Sequence, residues 1–160
     1  MSAEVQDILI RLAAIQRELI DPVSGLPLVA FDNVPYIVNT ADMPLFVNFA
    51  GALNRNDVAG SDHEARTFNE TRNYTMVLYH SPFGSGVEGE KSGLLSPFFK
   101  MVYDKFGAYP HLKNLGGVLE AKLISDSGMT VVRFSNQDYF GVRFTLQVVS
   151  KIRRPFGDGE

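Results

Sequence analysis

The segment Gly84-Ser-Gly-Val-Glu-Gly89 fits the pattern G-x-G-x-x-G, and Glu90, Lys91 and Ser92 follow it. Read as one unit it approaches a phosphate loop, with backbone N–H groups around an anion, an ammonium and a hydroxyl. That chemistry needs the lysine directly after the last glycine, so that amides and ammonium converge on one phosphate. Here Glu90 separates them. Glu88 and Glu90 would also place two carboxylates beside a polyanion, which is repulsive. The proline at 97 puts the expected helix start there, with Ser96 as cap, so the glycines do not open the helix directly. A small nucleotide-binding enzyme using residues 84–92 is the less favoured alternative, and a glycine-rich surface loop is the expectation.

The histidines are His63, His80 and His111, and no two lie three or four residues apart. No helical metal pair follows from that spacing. Asp62-His63-Glu64 gathers metal-ligating types, but in a polar stretch without a second cluster. The chain has no cysteine, which removes disulfides, thiolate metal sites and a cysteine nucleophile. No G-x-S-x-G elbow occurs. The expectation is no catalytic residue, no metal, no cofactor and no enzymatic activity.

The elements around these residues follow from periodicity. Val5, Ile8, Leu9, Leu12, Ile15 and Leu19 recur at helical spacing behind a possible cap at Ser2, with Gln6, Arg11, Gln16 and Arg17 mostly on the opposite side. The run Asp21 to Pro27 ends that helix. Leu28–Phe31, Met43–Gly51 and Arg72–His80 read as strands. Two long loops are expected between them, at 54–71 and 81–93. Phe98, Met101, Val102 and Phe106 mark the buried side of a helix ended by Gly107 and Pro110.

The remainder reads as strand. Leu119, Ala121 and Leu123 alternate with Glu120 and Lys122, Asp126-Ser-Gly128 turns the chain, Met129–Phe134 runs back, and Ser135–Asp138 turns again. In the last strand Phe140, Val142, Phe144, Leu146 and Val148 share one side, and Tyr139, Gly141, Arg143, Thr145 and Gln147 the other. The fold expected is α+β: a mostly antiparallel sheet of four to five strands, with an N-terminal helix and one central helix packed on one face. One domain accommodates all 160 residues.

The net charge of −3 argues against a dedicated nucleic-acid binder, although Lys151, Arg153 and Arg154 form a local basic end. Glu4, Asp7 and Arg11 interrupt the N-terminal apolar pattern, so neither a signal peptide nor a membrane span is expected there.

The layout resembles the tail terminator (tail completion or neck-ring) family of long-tailed bacteriophages. The likeness rests on the N-terminal amphipathic helix and on Asn39-Thr-Ala-Asp-Met-Pro44 leading into the first buried strand. It rests further on Arg72–Glu90 and on the ending Leu115–Val149, taken as a three-strand meander with a glycine-bearing final strand. The resemblance implies a structural virion protein that forms a homohexamer ring at the head-proximal end of the tail. It would stop tube polymerisation and join the tail to the head connector. The implied partners are further copies of itself, the tail tube protein and the connector or stopper protein. DNA would pass through the channel without specific binding, and no membrane is involved. The implied location is the virion neck, and the host cytoplasm during assembly. Another neck component, such as a head-completion or connector-adaptor protein, is the nearer alternative. Candidate interface residues are Phe83, Val87, Lys91, Arg143, Gln147, Lys151, Arg153 and Arg154.

Overall fold

The computed structural model describes residues 3–57, 65–84 and 88–155. In chain order the elements are α1 (Val5–Gln16), β1 (Val29–Ala30), β2 (Leu45–Asp57), β3 (Ala65–Pro82), α2 (Glu88–Gly107), β4 (Val118–Asp126), β5 (Thr130–Phe134) and β6 (Gln137–Pro155). They form the expected α+β arrangement, although the sheet has six strands rather than four or five. The order is β1-β2-β3-β6-β4, with β5 also on β6. Only the β1–β2 pair is parallel.

Both helices lie on the face expected from the last strand. Ile8, Leu12 and Ile15 of α1 and Leu95, Phe98, Val102 and Phe106 of α2 are buried against Phe46, Met76, Leu78, Val142, Phe144 and Leu146. The sheet partners sit two residues apart along each strand, which is what a pleat requires of one face. Gln16, expected on the wet side of α1, is fully buried. Its amide exchanges two hydrogen bonds with that of Asn48 on β2, at 2.6 and 2.8 Å. A buried amide is tolerated because its groups are paired. The N-cap of α1 is Glu4, whose backbone N–H donates to the Asp7 carboxylate. Ser2 lies outside the described residues.

Three expectations are corrected. The loop placed at 54–71 is largely ladder. β2 runs to Asp57, β3 starts at Ala65, and their pairing continues to Asp57↔Phe68. A sequence poor in hydrophobes reads as loop, but here cross-strand backbone bonds hold it as strand. Residues 58–64, including His63, lie outside the described residues. The loop placed at 81–93 is also shorter, because α2 already begins at Glu88 and carries Pro97 inside it. Residues 85–87, including Val87, are outside the described residues.

The third correction concerns the meander. Asp126-Ser-Gly128 does not reverse the chain. β4 pairs with β6 from Ser150 down to Phe144, and β5 continues along the same edge from Gly141 to Gln137. The two are one interrupted strand. The Ser127 N–H donates to the Arg143 carbonyl at 2.9 Å, and the Arg143 N–H donates to Ser127 Oγ at 2.9 Å. A hydroxyl thus stands in for a carbonyl and carries the ladder across the break. The Gly128 N–H donates to Asp126 Oδ1, and Gly128 takes φ +70°, a left-handed conformation that glycine adopts at little cost. The expected Ser135–Asp138 turn is present. Ser135 and Asn136 both have positive φ, as a two-residue hairpin loop demands. Leu119, expected inward, is exposed, because a register shift between Val118 and Glu120 turns it outward.

The long strands outrun the helices. β3 and β6 have 18 and 19 residues, so at ~3.3 Å per residue each spans roughly 60 Å. The helix-covered core occupies Tyr74–Leu78 of β3 and Phe140–Val148 of β6. Beyond it β2, β3 and β6 continue as a three-stranded arm, paired as far as Ala65↔Pro155.

Candidate functional site

The face of the sheet turned away from the helices has its own smaller core. Leu45, Val47, Val77, Tyr79, Val132 and Tyr139 are buried there, with Val38 and Met43 of the β1–β2 connection packed against them. Tyr79 meets Tyr139 and Phe134 edge to face, with ring centroids at 5.6 and 5.9 Å. Its hydroxyl donates to the Arg133 carbonyl at 3.1 Å. Burial pushes the Tyr79 phenol up to about 12, so it stays a protonated donor near neutral pH.

Beside this cluster the covering residues stop and a groove of about 350 Å³ opens. Val77, Tyr79 and Val132 form its buried floor, and Phe49, Thr75, Arg133 and Arg143 line the rest. Arg133 is paired with Asp138, Nε to Oδ1 at 3.3 Å. Arg143 sits opposite Val77 on β6 and is exposed. Its only side-chain hydrogen bond among the described residues is a long one, Nη1 to the Val131 carbonyl at 3.4 Å, and no carboxylate there pairs with it. The arrangement can hold an apolar group on its floor and an anion at its rim.

The described residues among those singled out from sequence fall in four places. Phe83 follows β3 in a turn and is 44% exposed, tied by its N–H to the Asp138 carbonyl. Lys91 lies in the first turns of α2, with Nζ 3.4 Å from the Pro82 carbonyl. Arg143, Gln147 and Lys151 all occupy odd positions of β6, but Lys151 is eight residues past Arg143, about 26 Å along the strand. Arg153 and Arg154 belong to the far end of β6, where only their strand backbone is described. The structure therefore does not gather these residues into one site.

The glycine segment takes a different context from the one expected. α2 opens inside it, so strand, glycine-rich link and helix do follow one another. The helix starts at Glu88 and not at Pro97. Glu88 and Glu90 still set two carboxylates beside any phosphate there, Lys91 is still displaced by one residue, and the strand it leaves, β3, is antiparallel to both neighbours.

His80 is half-buried, its ring edge-on to Phe98 at 6.0 Å and its Nδ1 3.2 Å from Ser81 Oγ. Burial lowers its pKa below the ordinary value of 6.5. His111 is exposed in the connection after α2. Among the described residues no group of three or more His, Asp or Glu side chains could hold a metal ion, and no helix is long and apolar enough to cross a membrane.

The groove residues Phe49, Thr75, Val77 and Val132 were not singled out in the sequence. The signal available was parity: Phe49, Thr75 and Val77 are odd-numbered and fall on the face of Arg143 once the register Val77↔Arg143 is known, while Val132 joins that face by pairing with Tyr139, and both registers are tertiary facts. No protein-family model matches the chain, and no curated protein is significantly similar to it.

Proposed function

We propose that the chain is a structural assembly component that closes into a ring of identical copies, and that its place is the neck of a long-tailed bacteriophage as a tail terminator. The observation that carries the self-association is the pair of uncovered sheet edges. Among the described residues, β2 from Val47 to Asp57 has a partner strand on one side only, and β4 and β5 end the sheet on the other. Edges of this kind pair with other chains unless they are covered. Two different edges on one protomer give a heterologous contact, and such contacts close into rings when the rotation fits.

Exposed apolar side chains support the same reading. Val34, Tyr36 and Ile37 lie together in the β1–β2 connection, with Tyr36 97% exposed. Exposed apolar surface marks a protein contact where it is contiguous, and these three residues are near neighbours in sequence. The placement in a phage neck rests on the sequence resemblance. Of the features that carry it, the three-strand meander is an interrupted hairpin in the structure.

Native mass spectrometry and negative-stain microscopy of the purified chain, alone and with a tail tube protein, test the reading. Closed rings with an axial hole are expected. A chain that stays monomeric at high concentration in both settings rules it out.

A further inference from the structure

The groove under Arg143 has a composition that a segment of the same chain complements. Its floor is apolar, and its exposed rim carries a guanidinium with no carboxylate partner among the described residues. Residues Phe156-Gly-Asp-Gly-Glu160, which follow β6, carry one aromatic ring and then two carboxylates. We propose that the groove formed by Phe49, Val77, Val132 and Arg143 receives Phe156–Glu160 of a second copy of this chain. The ring lies on the floor and a carboxylate meets Arg143.

Size and reach both bear on this. About 350 Å³ is at the small end of ligand pockets, which run from about 300 to 1,000 Å³, and suits one aromatic side chain with its neighbours. The segment cannot serve its own groove. Arg143 and Pro155 are twelve residues apart on one paired strand, roughly 40 Å at ~3.3 Å per residue. Residues 156–160 fully extended reach at most about 18 Å. The end of β6 at Pro155 lies far along the strand from the groove. Groove and segment lie at different places on the protomer, so the contact is head-to-tail and propagates from copy to copy. The proposal deepens the ring reading, because it names one of the contacts that would close the ring.

The test uses full-length variants and one peptide. Arg143→Glu removes the groove's cation, and Phe156→Ser removes the segment's ring. Arg143 is exposed, so the variant should keep its melting temperature, and Arg143→Gln serves as a second variant. In sedimentation, each variant alone should self-associate about tenfold or more weakly than wild type, the size of one lost charge-assisted contact. Mixed in equal amounts they should associate with each other more strongly than either does alone, since each retains one working half. If both variants assemble as wild type does, the proposal is overturned while the ring reading stands.

The peptide Pro155–Glu160, added to isotope-labelled wild type, should shift the amide signals of Phe49, Val77, Val132 and Arg143. The same peptide with serine for Phe156 should not. If wild type is monomeric yet the peptide binds there, the groove contact stands and the ring reading falls. Absence of shifts, equal shifts from both peptides, or shifts elsewhere overturn the groove contact.

Discussion

Gly141 shows how little space separates β3 from β6. A Cβ at that position would lie 1.9 Å from the Leu78 carbonyl oxygen and 2.9 Å from a Val132 methyl. Backbone cannot yield as a side-chain tip can, so Gly141→Ala should cost about 3 kcal/mol or more in urea unfolding. Gly93 is the opposite case. It lies inside α2 with nothing within 4 Å of its added Cβ, so Gly93→Ala should gain about 0.5–1 kcal/mol by reducing the freedom of the unfolded chain. His80 makes stability depend on pH. Its folded pKa is depressed by burial, so below pH 6.5 the unfolded chain takes up the proton more readily than the folded one. Its contribution is complete above pH 6.5 and is lost as pH falls toward the depressed value. The melting temperature should drop between pH 7.5 and 5.5, and His80→Asn should flatten that part of the slope.

At the scale of the element, the Gln16–Asn48 pair fixes how α1 sits on β2. Both amides are buried and each donates to the other. Replacing one, as in Asn48→Leu, leaves the other amide buried without its partner and should cost about 1–3 kcal/mol. Replacing both by leucine should cost less than the sum of the single changes, and a double-mutant cycle in urea measures the difference. The interrupted strand belongs to this scale too. The strands expected at Val118–Ser125 and Met129–Phe134 are present as Val118–Asp126 and Thr130–Phe134, but Asp126-Ser-Gly128 has the composition of both a reversal and a bulge. Which one forms is decided by β6, whose length lets both segments lie along one edge.

For the whole molecule, the ring proposed above would use apolar side chains left outside the two buried clusters. Phe83 stands 44% exposed at the end of β3, outside both buried clusters. Phe83→Asp should weaken assembly in sedimentation while leaving the melting temperature within about 1 °C, a change below ~0.5 kcal/mol for a chain of this size. A collapse of the melting temperature would instead place Phe83 in the core.

The amphipathic periods of Val5–Gln16 and Phe98–Phe106, and the alternation of Phe140–Val148, by themselves determined the fold class and the core face of each element. A helix stripe or a strand face is local information, spaced by 3.6 or 2 residues. Local information also exposed the Ser135–Asn136 turn, whose residues tolerate positive φ. What tertiary structure alone decided was the continuation of polar residues 54–57 and 65–71 as strand, the burial of Gln16 and the collinearity of β4 with β5. It also decided the meeting of Phe49, Val77, Val132 and Arg143. Each of these depends on the partner across the ladder or beneath the helix, and backbone bonds and register between distant segments leave no trace in the spacing of one segment.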